Sequence, residues 1–112
     1  MPQSKRDFHG PVTATILNTA TLSDAINVPA GMATCLVEVP TITSAAITLQ
    51  VSYDGTDFRD LYNVDDTQQG RTTATTGGFM VPFVFFGWVK QLKIKSGAAQ
   101  GADRTLKVSF LA

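Results

Sequence analysis

Hydrophobic and polar residues alternate with a period of two along much of this chain, and no stretch carries the period of a helix. The clearest case is residues 45–52. There Ala45, Ile47, Leu49 and Val51 fall on one side and Ala46, Thr48, Gln50 and Ser52 on the other, as a half-buried strand requires. Asp54-Gly55 follows, a dipeptide that tolerates positive φ and predicts a tight hairpin turn. Phe58, Leu61 and Tyr62 then supply a returning strand. Upstream, residues 12–18 (VTATILN) predict a first strand and 25–28 a short one closed by Pro29-Ala30-Gly31. Residues 32–39 predict a further strand with Ala33, Cys35, Val37 and Val39 on one face. Downstream, residues 79–83 predict a short strand in which Pro82 marks an edge or a bulge. In residues 88–95, Trp88, Leu92 and Ile94 are expected to point inward and Val89, Gln91, Lys93 and Lys95 outward. Residues 105–111 close the fold, with Leu106, Val108 and Phe110 facing one way and Lys107 and Ser109 the other.

About seven to nine short strands punctuated by turn signals predict an antiparallel sandwich or barrel. The expected fold is all-β: a single-domain antiparallel β-sandwich over residues 12–112, jelly-roll-like, with an Ig-like sandwich as the second choice. Residues 1–11 (MPQSKRDFHGP) have no periodicity and are read as a flexible, extended N-terminal arm. Lys5, Arg6, Phe8 and His9 in that arm are candidates for partner contact, ordering as they bind. Residues 63–78 form a polar loop that is long for a compact domain. It carries three more partner-contact candidates, Asp65, Asp66 and Arg71, and an expected edge strand near residues 71–75.

Composition narrows the function classes. Charged residues make up only 16% of the 112, against about 25% in an ordinary soluble domain. A surface this poor in charge is suited to being covered by a partner. Nine basic and nine acidic residues cancel, so nothing in the total favours nucleic acid, which calls for a basic excess. The charges are segregated along the chain. Asp54, Asp57, Asp60, Asp65 and Asp66 cluster around Arg59 alone, whereas Lys90, Lys93, Lys95, Arg104 and Lys107 are accompanied only by Asp103. An acidic edge and a basic edge would suit self-association or a mixed partner surface. No apolar run reaches signal-peptide or membrane length, so synthesis in the cytoplasm and no membrane partner are expected.

Catalytic groups are scarce. The one cysteine, Cys35, lies on a predicted inner face and reads as a buried, inert thiol. The one histidine, His9, lies in the predicted arm, where nothing rigid would hold the geometry of a Ser-His-Asp or Cys-His site. One His and one Cys do not make a zinc site. Asp54, Asp57 and Asp60 are spaced by three, with Gly55 directly after the first, which departs from an EF-hand loop. A non-EF calcium site at Asp54 and Asp57 stays open beside the simpler reading, in which Asp54 shapes the turn. Phe79, Phe83, Phe85, Phe86 and Trp88 read as core, with a stacking platform for sugars or bases as the alternative. No catalytic residue, cofactor or metal site is therefore expected, and the protein is read as a non-enzyme.

Several short motifs in fixed order carry a family resemblance. They are Leu22-Ser23-Asp24-Ala25-Ile26, the Ser52-Tyr53-Asp54-Gly55-Thr56-Asp57-Phe58 stretch within residues 45–62, Leu92-Lys93-Ile94-Lys95-Ser96-Gly97, and Asp103-Arg104-Thr105-Leu106. From residue 22 onward the chain resembles small β-sandwich structural proteins of tailed bacteriophages, in particular capsid cement, or decoration, proteins. The resemblance implies a virion protein that binds the outside of the head and staples neighbouring major capsid proteins, and it implies no catalytic residues. Self-association, a trimer first, is expected of a subunit placed at symmetry axes. The alternatives are a tail, baseplate or fibre subunit, and a small carbohydrate-binding module that stacks sugars on Trp88 or Tyr62.

Overall fold

The computed structural model describes residues 8–61, 70–74, 78–79, 83–84 and 88–111, with the backbone alone for Phe8, residues 70–74, Phe79 and residues 83–84. Among these are ten strands: β1 (Phe8–Ile16), β2 (Ile26–Asn27), β3 (Thr34–Val39), β4 (Ala45–Ser52), β5 (Arg59–Asp60), β6 (Gly70–Ala74), β7 (Gly78–Phe79), β8 (Phe83–Val84), β9 (Gln91–Ser96) and β10 (Arg104–Leu111). They form two antiparallel sheets. The first runs β1-β10-β3, with β7 and β8 both on the free edge of β3; the second runs β2-β9-β4, with β5 and β6 both on the free edge of β4.

Each doublet continues one line. Leu61 donates its N–H to the Leu49 carbonyl (3.0 Å), and Gly70 rejoins the same ladder at Thr48, the next rung. With β5 joined to β6 and β7 to β8, the antiparallel pairs nest as β1·β10, β2·β9, β3·β7/β8 and β4·β5/β6. The first half of the chain is thus folded back on the second as one long hairpin and wrapped into two four-line sheets. That is the jelly-roll arrangement.

Alternation explains why the wrap closes. Ala14, Ile16, Cys35, Val37, Val39, Leu106, Val108 and Phe110 from the first sheet are buried. They pack with Ile26, Ile47, Leu49, Val51, Leu92 and Ile94 from the second. Every one of these sits at an alternate position of its strand, so each sheet turns one apolar face inward. Met32, Ile42, Leu61 and Val89, from segments outside the strands, join this core. Cys35 is fully buried within this core.

Three expectations need correction. The first concerns the arm: residues 8–11 belong to β1, where Phe8 pairs with Leu111 and His9 with Phe110. Gly10-Pro11 is an internal irregularity, not the end of the arm. The register gains one residue between His9 and Val12, and Gly10 takes φ +117° there. A Cβ at Gly10 would lie 2.8 Å from the Val108 carbonyl oxygen, so only glycine lets the strand bulge at this point and resume pairing.

The second concerns the hairpin. Val51 pairs with Arg59, so the connection runs over residues 52–58 and is no two-residue turn. The third concerns Trp88 and Val89, whose sides are exchanged: Trp88 is exposed and Val89 buried. β9 begins only at Gln91, and the irregular backbone before it breaks the phase that Leu92 and Ile94 keep. The predicted strand over residues 79–83 is represented by two short pieces, β7 and β8, with Pro82 outside the described residues.

The edge formed by β1 is covered at its C-terminal end. The Thr15 N–H donates to Asp24 Oδ1 (2.9 Å), and the Asp24 N–H returns a longer bond to the Thr15 carbonyl (3.4 Å). These groups would otherwise be open to pairing with another chain. At the end of the sandwich where β9 turns into β10, Gln100 is 2% exposed and ties three segments together. Its Oε1 accepts from the Thr43 N–H (2.8 Å) and from Arg104 Nε (3.3 Å), while Nε2 donates to Ser96 Oγ (2.8 Å) and to the carbonyls of Thr43 and Ala98 (3.2 Å each).

Candidate functional site

The β4–β5 loop is built by two short side chains. Ser52 is buried, and its hydroxyl donates to Asp54 Oδ1 (2.8 Å) while accepting from the Gly55 N–H (2.8 Å). Asp54 Oδ1 also accepts the backbone N–H groups of Thr56 (2.8 Å) and Asp57 (3.0 Å), the bonding of an Asx turn. Gly55 sits at φ +81°, which a residue with a Cβ adopts only under strain. The Asp57 and Thr56 N–H groups, with the Ser52 hydroxyl, hold the Asp54 carboxyl down at about 2, because each bond favours the ionised form. Asp54 therefore shapes the loop, with one oxygen fully engaged by donors. Among the described residues no group of three or more His, Cys, Asp or Glu is placed to hold a metal.

The loop presents Tyr53 to solvent, 72% exposed. A second aromatic reaches the same place from a distant part of the chain. Ser52 pairs with Gln91 at the end of the β4–β9 ladder, and the Lys90 N–H donates to the Ser52 carbonyl (2.8 Å). That tie anchors the segment containing Trp88, 51% exposed, next to the loop. Between them runs a groove of about 420 Å³ whose lining includes the buried side chains of Val51 and Leu61. Asp57, Arg59 and Asp60 supply its polar groups.

The charged segments that the sequence keeps apart come together here. Asp60 lies 3.3 Å from Lys95 Nζ and accepts from Gln50 Nε2 (3.3 Å). Lys93 Nζ stands 4.5 Å from the centroid of the Phe58 ring, a cation–π contact. The expectation of an acidic edge and a separate basic edge is corrected for these residues. Pairing of β4 with both β5 and β9 interleaves them on the outer face of one sheet.

The described members of the sequence-derived contact candidates lie on different sheets. Lys5, Arg6, Asp65 and Asp66 lie outside the described residues. The backbone of Phe8 and the exposed His9 are on β1, the edge of the first sheet, which packs beside β2. The backbone of Arg71 pairs with Ile47 on β6, at the edge of the second sheet farthest from β2. His9 and Cys35 pair with Phe110 from its two sides. Their Cα atoms are two strand spacings apart, roughly 9–10 Å. The residue that sequence reasoning passes over is Tyr53. Its signal is present in the chain, as an aromatic directly before Asp-Gly at the tip of a hairpin, where an inward direction has no strand to support it.

No protein-family model and no curated protein matches the chain. Among solved structures, it is similar to the SPBc2 prophage-derived protein YomS, with a TM-score of 0.63 and 15% identity over 100% of this chain and 99% of that one. A weaker likeness is to a chain of the cyanophage Pam1 capsid asymmetric unit, with a TM-score of 0.43 and 16% identity over 99% of this chain and 89% of that one. The likeness to YomS runs the full length of both chains and is a likeness of fold.

Proposed function

We propose that this protein is a non-enzymatic structural subunit of a bacteriophage virion, and specifically a capsid cement subunit. In this reading it binds the outside of the head and bridges neighbouring major capsid proteins. The observation that carries it is the ordered set of motifs from residue 22 to residue 106 that resembles phage cement proteins, now placed on a jelly-roll frame. Sharing that frame end to end with a prophage-derived protein supports the phage context. The physical form also suits such a role, being a sandwich with a continuous apolar core and, among the described residues, an exposed surface in which Thr, Ser and Ala are frequent. Many weak contacts repeated over a symmetric shell hold by avidity, without one tight interface.

In this reading the subunit self-associates, as a trimer first, and neither nucleic acid nor a membrane is a partner. The test is a mass-spectrometric copy count on purified particles of the encoding phage. A cement role requires copies on the order of hundreds per particle, as the symmetry of a shell dictates. A handful of copies would move the subunit to the tail, baseplate or fibre, and absence from particles would refute a virion role. Light scattering on the isolated protein tests the trimer.

A further inference from the structure

We propose that the groove between Tyr53 and Trp88 is a saccharide-binding site, taking a neutral hexose or N-acetylhexosamine unit of a glycan. This goes beyond the virion reading and does not depend on it.

Four large hydrophobic side chains are exposed among the described residues: Val12, Leu17, Tyr53 and Trp88. Both aromatics among them line this one groove. Solvent exposure of a Trp and a Tyr is costly, and finding them together at the rim of one depression calls for a ligand that covers them. Their rings offer flat apolar faces with a polar handle at the edge, which match the C–H face of a pyranose. The remaining groups complete the match. Asp57 and Asp60 offer carboxylate acceptors and Arg59 a fork of donors, groups suited to sugar hydroxyls. Asp60 is oriented by Lys95 and Gln50, so its carboxylate is held in place before a ligand arrives. The loop is likewise held by Ser52 and Asp54, which keeps Tyr53 and Asp57 in register.

Size and charge select among ligands. At about 420 Å³ the groove falls in the lower part of the roughly 300–1,000 Å³ range of small-molecule sites. A protein partner would need about 800 Å² of contact on this side. The other two exposed apolar side chains do not extend the patch, because Val12 lies on β1 and Leu17 directly follows it, at the opposite edge of the sandwich. With Asp60 paired to Lys95, Asp57 and Arg59 balance each other, so the groove carries no net positive charge to favour an acidic sugar over a neutral one.

Trp88 is the only tryptophan of the chain, so its emission reports this groove alone. The experiment titrates the full-length protein with cellohexaose, maltohexaose and chitohexaose, and with a sialic acid oligomer as the charged comparison. At least one neutral oligomer is expected to quench and blue-shift the emission, saturating with a Kd on the order of 1 mM or tighter, while the sialic acid oligomer has no effect. By calorimetry, Tyr53→Ala and Trp88→Ala are each expected to weaken binding about tenfold or more, from loss of one stacking face. Leu17→Ala is expected to leave binding unchanged. Tyr53 is mostly exposed on a loop held by its neighbours, so its variant folds, and an unaltered melting temperature verifies this. No response to any of the three neutral oligomers at about 10 mM, a concentration that detects even very weak sites, overturns the proposal. Undiminished binding in the Tyr53→Ala, Trp88→Ala double variant overturns it too. If those variants abolish attachment to phage heads while glycans give no response, the groove is a protein-docking site instead.

Discussion

Gln100→Ala tests how this sandwich is closed at one end. Gln100 is 2% exposed and makes five side-chain hydrogen bonds, two of them at 2.8 Å, to the Thr43 N–H and Ser96 Oγ. Truncation removes all five, but the cost is uneven. Ser96 Oγ keeps its bonds to the Ala98 carbonyl (2.6 Å) and N–H (3.3 Å), so it stays satisfied. Thr43 loses the acceptor for its N–H and a donor to its carbonyl, although its exposed position admits water in their place. Two good neutral bonds at about 1 kcal/mol each, with about 1 kcal/mol more for the void and partly unsatisfied groups, total roughly 3 kcal/mol.

For a domain of this size that corresponds to a fall in Tm of about 10 °C. Urea and thermal unfolding followed by circular dichroism give both numbers. Gln100→Glu sharpens the reasoning. It keeps the acceptor facing Thr43 N–H and Arg104 but sets a carboxylate oxygen against two carbonyls where Nε2 had donated. At neutral pH it is expected to cost at least as much as alanine. Part of the loss returns as the pH is lowered and the acid regains a proton to donate. A loss below about 1 kcal/mol in Gln100→Ala, within the range of an ordinary surface change, would refute the view that this amide ties the three segments.

Other perturbations reach different parts of the fold. Leu49→Ala, at a fully buried position paired with Ile94, is expected to destabilise by about 2–5 kcal/mol in the same unfolding assay. Gly10→Ala meets both a φ of +117° and the Val108 carbonyl oxygen at 2.8 Å. A loss of about 1–3 kcal/mol is expected, with earlier hydrogen exchange at residues 8–9 than in the rest of β1. The Asp54 carboxyl sits at about 2 in the folded protein against an ordinary 3.8, so the unfolded chain binds the proton more readily. Its contribution to stability is complete above pH about 4 and disappears as the pH falls through about 2. Asp54→Asn is expected to flatten the acid limb of a Tm-versus-pH profile in that window. Asp60→Ala, which removes a partly exposed ion pair with Lys95, is expected to cost less than about 1 kcal/mol and to cost less still at high salt.

What the chain determines by itself is the inward face of β3, β4, β9 and β10. Ala45, Ile47, Leu49 and Val51, or Leu106, Val108 and Phe110, are buried as their alternation requires, because a period of two leaves a strand only one apolar side to hide. Strand count and turn spacing are enough to read a sandwich and to prefer the jelly roll. The arm is misjudged from sequence because Gly10-Pro11 looks like the end of a structured segment when only local propensity is weighed. Its true role depends on β10 lying alongside and accepting a bulge. Trp88 points inward only if the alternation of β9 is extended past Gln91, where the ladder that enforces it ends.

Which distant residues share a surface follows from long-range strand pairing alone. Tyr53 and Trp88 are thirty-five positions apart in the chain, and the Lys90–Ser52 bond and the β4–β9 ladder bring them to one groove. Likewise Asp60 meets Lys95 only because β5 and β9 attach near one another along β4. Local sequence sets which way a side chain points relative to its own strand. The side chain it points beside depends on long-range pairing, and the wrapping of one long hairpin into two sheets supplies that here.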